Sequence, residues 1–192
     1  MPAPNPAALD FLLTRRSRPA KTLTTPAPSR EALQPILTAA ARTPDHGKLE
    51  PWRFIVIEGA AMARLADLVS TRGQALGKSE DDIAKGRTQF EQGHLAVAVV
   101  EVRRASEKIP ELEQTYSAGA VCLALLNAAL AAGWGANWLS GWPSHETGFG
   151  AEGLGLAPNE RIAGFIHIGT ETSAPPERPR PDLDAITEWV SS

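Results

Sequence analysis

The sequence predicts an α+β protein in which a small mixed β-sheet lies between helical layers around one long central helix. Three observations predict it. Helical periodicity covers more of the chain than strand patterning does. The runs Phe54-Ile55-Val56-Ile57 and Ala96-Val97-Ala98-Val99-Val100 lack polar alternation and read as strands buried on both faces. Residues 110–132 form a helix that is apolar nearly all round from Ala118, so other elements must surround it.

Each element follows from local chemistry. Asn5-Pro6 opens a first helix, with Asn as N-cap and Pro at the first helical position. It runs over 7–16, with Leu9, Leu12 and Leu13 on one face and basic residues in the last turn, where the helix dipole favours cations. Ser29 caps a second helix through 41, which Pro35 should kink or delay. Pro44 and Gly47 mark a loop before a strand at 53–58. Helices follow at 60–76 and, polar and exposed, at 79–92, then a second strand within 94–102. Gly133 and Gly135 stop the central helix. A third strand is expected at 137–139, a Gly-rich, loop-like stretch with at most a short helix at 143–156, and a fourth strand at 162–169. Pro175, Pro176, Pro179 and Pro181 make the stretch from 173 an extended arm, and 182–190 reads as a short terminal helix. No repeat or linker divides the chain, so residues 1–192 are read as one domain.

Composition removes several functions. Of 192 residues, 19 are Lys or Arg and 22 Asp or Glu, a net charge of −3 that offers nucleic acid no global basic field. Hydrophobic residues at 43% argue for a packed core rather than disorder. The single cysteine, Cys122, excludes an intramolecular disulfide and any Cys-rich metal site, and its apolar helix makes it inert. His46, His94, His145 and His167 have no metal-ligand spacing, and no HExxH, GxSxG, Walker loop or GxGxxG occurs. The start of the chain lacks a signal-peptide pattern, and 118–134 reads as too short and alanine-rich to span a membrane. A cytoplasmic protein with no membrane or nucleic-acid partner is expected.

Three segments retain chemical interest. Arg15-Arg16-Ser17-Arg18 fits a phosphate clamp and equally a solvated helix end. Pro44-Asp45-His46, with Arg42 before it, fits a ligand-binding loop and equally a Pro-Asp turn. Residues 133–142 hold Trp134, Trp138 and Trp142 among glycines, which suits a flat ligand, although taken alone the segment reads as core packing.

Taken in order, these segments resemble the nitroreductase family of FMN-dependent flavoproteins, and are similar to its small bacterial YdjA-type members. The resemblance rests on Arg15-Arg16-Ser17, on Pro44-Asp45-His46 leading to Pro51-Trp52-Arg53-Phe54, on Ser117-Ala118-Gly119-Ala120, on 133–141 and on 164–170. It implies the nitroreductase-like fold and a homodimer with FMN at the subunit interface. It also implies ping-pong hydride transfer from NAD(P)H to nitroaromatic or quinone-like acceptors. Arg15, Arg16 and Ser17 would hold the phosphate and ribityl chain. Arg42 and His46 would reach the partner subunit's flavin, and Trp138, Leu139 and Ser140 would line the ring. Leu139 stands where a related pattern has Arg, and Arg180 is a further candidate for the phosphate. The flavin would carry the chemistry, so no catalytic side chain or metal is expected. Enone reduction, flavin destruction, dehalogenation or FMN binding without turnover are the alternatives on this fold.

Overall fold

The computed structural model describes residues 3–191. Asn5 caps α1 (Pro6–Thr14), its side chain accepting the Ala8 N–H at 3.1 Å. The helix ends at Thr14 with Arg15 as its cap, so the basic residues lie past the last turn rather than in it. Leu9, Leu12 and Leu13 are 60, 57 and 70% exposed, and α1 buries no residue. After the two-residue β1 (Leu23–Thr24), Ser29 caps α2 (Arg30–Ala40). Pro35 sits inside α2 without delaying its start.

β2 (Trp52–Glu58) is an edge strand, and only its Ile57 is buried. Its apolar run therefore marks a strand but not burial on both faces. The double burial belongs to β3 (Leu95–Val102), all of whose residues are buried. Between them lie α3 (Ala60–Ala75) and α4 (Glu80–Glu91), the latter capped by Ser79. Though polar, α4 buries Gly86 and Phe90, which anchor it.

The central helix, α5 (Glu111–Ala131), is 21 residues long, and by length and composition alone it could cross a membrane. Packing settles its place. Val121, Cys122, Leu125 and Ala129 are fully buried against the sheet and α2. β4 (Gly135–Leu139) follows at once, and then α6 (Trp142–His145) and α7 (Thr147–Leu154) replace the expected loop. The Glu146 carboxylate caps α7 by accepting from the N–H groups of Gly148 and Phe149 at 3.0 and 2.5 Å. The glycines here permit close packing: a Cβ on Gly153 would come within 2.8 Å of Leu65. The chain closes with the long β5 (Glu160–Glu171) and a single turn, α8 (Leu183–Ile186), shorter than expected.

The sheet order is β1-β5-β3-β2, with β4 also paired to β5. Every described pairing is antiparallel, so the α+β class holds while the sheet is not mixed. Alternation along β3 builds two cores. Leu95, Val97 and Val99 meet α2 and α5, whereas Ala96, Ala98 and Val100 meet α3, α4 and α7.

Candidate functional site

Functional side chains gather at the C-terminal end of α5. Arg15 donates from Nη2 to Ser17 Oγ at 3.1 Å and makes no ion pair among the described residues. Its Nε is buried without an acceptor. Burial, followed by the charges of Arg180, Arg16 and Arg18, pushes its pKa below the ordinary arginine value. The Glu177 carboxylate lies 3.3 Å from Arg16 and 2.8 Å from Arg180, and Arg16 also donates to the Pro176 carbonyl. These contacts fold the C-terminal arm back onto the basic segment. Arg18 pairs with Glu171 at 2.5 Å, and its N–H donates to the Ala136 carbonyl at 2.8 Å, tying the segment to β4. Arg15, Arg16, Arg18, Leu130, Gly133 and Trp134 line a cavity of about 320 Å³. Among the described residues Arg15, Arg16, Arg18 and Arg180 thus meet only the carboxylates of Glu171 and Glu177, an excess of positive charge suited to a dianionic phosphate.

The basic segment continues as Pro19-Ala20-Lys21 into a trough between β4 and α4. Asn137 and Leu139 face it opposite Lys85 and Gln89, in a cavity of about 270 Å³. A second cavity of about 380 Å³ shares Lys85 and Gln89 and reaches Ser140, Gly141 and Trp142. Strand alternation sends Trp138 to the other side of the sheet, over Gly164. Leu139 and Ser140 therefore line the trough, while Trp138 does not share that face. His167, the cross-strand partner of Asn137, is buried against Phe90 and Gly93 with neither ring nitrogen partnered. Burial lowers its pKa to about 4, so it is a neutral part of the core beneath the trough.

Arg42 and His46 lie elsewhere. His46 Nδ1 is 2.7 Å from Glu113, in the first turn of α5. Ser117 Oγ donates to the Pro44 carbonyl at 2.9 Å and accepts from Trp52 Nε1 at 3.1 Å, fixing this loop on the helix. Arg42 is exposed just past α2 and makes no ion pair among the described residues. Between Glu113 and Leu130 lies roughly 25 Å of helix axis. Within one chain, His46 and Arg15 are thus at opposite ends of α5.

Lys85, Gln89 and Asn137 escaped the sequence reading. Their approach depends on long-range packing of α4 beside β4, and the one local sign was the small Gly86, over which Trp142 lies.

The structure is thus an α+β sandwich with a basic pocket beside an elongated trough. Comparison with known proteins gives the family. Residues 12–170 match the nitroreductase family, and the chain belongs to it. It is 37% identical over 163 residues to YdjA of Escherichia coli K12, provisionally named an NAD(P)H nitroreductase, covering 85% of this chain and 87% of the relative. A nitroreductase-like family protein from Bacillus cereus has the same fold, with a TM-score of 0.81 and 25% identity over 100% of both chains. A Desulfovibrio desulfuricans protein, provisionally called a nitroreductase and solved in complex with FMN, superposes with a TM-score of 0.74 at 24% identity, over 99% of this chain and 100% of that one.

Proposed function

We propose that residues 1–192 form one FMN-binding domain of an oxidoreductase that uses NAD(P)H to reduce nitroaromatic or quinone-like acceptors in a ping-pong cycle. The observation that carries this reading is the half-buried Arg15, whose Nε is buried without an acceptor and which lines a pocket with two further guanidiniums, in a basic segment that continues into the trough along β4. FMN in the Desulfovibrio neighbour and NAD(P)H in the name of YdjA supply the cofactor and co-substrate. Bound FMN would supply the hydride chemistry.

In this reading Arg15, Arg16 and Ser17 hold the phosphate and the first ribityl oxygens. Arg180 completes the positive field from the C-terminal arm. Leu139 would offer the ring an apolar wall, and the backbone N–H groups near Ser140 and Gly141 would be available to N5. Trp138 acts from behind the strand, by packing over Gly164 and fixing its course.

Arg42 and His46 complete the site of a second subunit. Their distance along α5 from Arg15 supports this, since a two-fold pairing brings unlike ends of the helix together. So do the exposed apolar side chains of Leu9, Leu12, Leu13, Leu112, Tyr116 and Leu123, which a dimer would cover. Among the described residues the one helix long and apolar enough to span a membrane packs in the core, and the protein is proposed to act as a cytoplasmic homodimer.

The test is direct. The purified protein should bind FMN in an absorbance titration and oxidise NAD(P)H faster when a nitroaromatic is added. A protein that takes up no FMN removes the proposal, and one that takes it up without turnover is a flavin carrier. Mixing a chain carrying Arg15→Ala and Arg16→Ala with one carrying Arg42→Ala and His46→Ala should restore about half the sites, by symmetry. No restoration assigns each site to one chain.

A further inference from the structure

The second cavity of the trough has a chemistry of its own. Its walls include Lys78, Asp82, Lys85, Gln89, Ser140 and Trp142. The indole of Trp142 is fixed on two sides. Its Nε1–H donates to the Asp82 carbonyl at 3.0 Å, and its ring lies over Gly86 and Gly73, where added Cβ atoms would fall 2.8 and 3.4 Å away. Lys78 Nζ sits 5.1 Å from the ring centroid. A ring holds an ammonium without neutralising it. Neither Lys78 nor Lys85 makes an ion pair among the described residues, whose cationic partners in salt bridges are arginines and one histidine. The one carboxylate in the wall, Asp82, accepts from Ser79 Oγ at 2.8 Å and is held at the start of α4.

The cavity is about 380 Å³, near the lower end of small-molecule sites of about 300–1,000 Å³, and so suits one ring rather than several. We propose that it receives the electron acceptor and selects a single-ring aromatic bearing a carboxylate, through Lys78 and Lys85. The inference concerns binding. It rests on the function proposed above only in placing the reducible end of that molecule beside Ser140 and Gly141.

Calorimetric titration of the FMN-loaded protein with 4-nitrobenzoate and with its uncharged isostere 4-nitrobenzamide, without NAD(P)H, tests it. The carboxylate should bind about ten-fold tighter, the worth of one charge-assisted hydrogen bond, with a margin that narrows as salt is raised. Lys78→Met with Lys85→Met should abolish the margin, and because Lys85 also lines the trough, Lys78→Met alone should narrow it while leaving the affinity for the amide as it was. Lys85→Arg should preserve the margin. Equal affinity for the two compounds overturns the proposal, as does a margin that survives the double substitution. If the margin survives and the KM for NADPH rises instead, the lysines serve the nucleotide. FMN uptake is read separately by absorbance. Should it fail, the functional reading falls, and the same calorimetric comparison on the flavin-free protein still decides the selectivity.

Discussion

The two ends of α5 handle charge in opposite ways. At the N-terminal end the buried carboxylate and the buried amide are answered. The buried Glu101 receives Arg161 and the Thr115 hydroxyl, the latter at 2.8 Å, with Arg103 3.8 Å away. Gln114 exchanges hydrogen bonds with the Arg104 backbone at 2.8 and 2.9 Å, and His46 meets Glu113. At the C-terminal end Arg15, Arg16, Arg18 and Arg180 crowd together with too few acids. Satisfied buried charge is what a fold needs for its own integrity. Unanswered charge raises the energy of the isolated chain and is released by a ligand of opposite sign. The first end is a joint and the second a receptor.

That contrast breaks most visibly at the receptor. Arg15→Ala with Arg16→Ala should reduce FMN affinity by roughly two to four orders of magnitude, given about 1.5–3 kcal/mol per charged hydrogen bond. The melting temperature of the flavin-free protein should hardly move. Absorbance titration and calorimetric melting read the two quantities, and unchanged affinity would make this an ordinary solvated helix end.

At the joint the pattern should invert. Glu101→Ala leaves Arg161 and Arg103 without their shared carboxylate and should cost about 3–5 kcal/mol of stability in urea unfolding. The affinity of the remaining folded protein for FMN should stay close to the original. A loss below about 1 kcal/mol would mean that solvent serves these arginines as well as Glu101 does.

His167 sharpens the comparison, being a buried titratable group that belongs to neither end. Its pKa of about 4 lies below that of an unfolded histidine near 6.5. The unfolded chain therefore binds the proton first. Stability is unaffected by this residue above the unfolded value, declines as the pH falls from there, and levels off below the folded value, a loss of roughly 3–4 kcal/mol. His167→Leu should flatten this part of the curve, and urea midpoints taken between about pH 7 and 4 would reveal it. A slope that persists belongs to other groups.

The smallest effect is expected at Ser117. Ser117→Ala removes the acceptor of Trp52 Nε1 and the donor to Pro44, for about 1–2 kcal/mol. It should also speed amide exchange over 43–53, and exchange as slow as in the parent would mean the loop is held by packing alone.

Much of this was legible in the chain because local chemistry decides it. The caps Asn5, Ser29 and Ser79 mark their helices within a residue, since each side chain accepts a helix N–H close by in sequence. The run in β3 reads as doubly buried and is. β2 carries an equally apolar run, but position at a sheet edge is decided by topology and not by composition. The helices over 142–154 were hidden because glycine weakens every local helix signal, while here it serves close contact with Leu65 and Leu68. In the site, the arginine cluster stood out as a motif. The trough did not, because Lys85, Gln89 and Asn137 meet only through the tertiary fold, and because a strand turns neighbours such as Trp138 and Leu139 to opposite sides.

β5 pairs with β1, β3 and β4, and of the strand contacts only β2 with β3 does without it. It is also the last strand to be made. During synthesis β3 must therefore leave one edge open while α5 and β4 emerge, and the sheet closes only after Glu171 has left the ribosome. Long-range pairings of this sort fold slowly and leave sticky edges in the interval. A ribosome-bound chain cut before Glu160 should thus be protease-sensitive and prone to aggregate, and one extended past the arm should be resistant, so that the timing of the final strand governs the yield of folded protein.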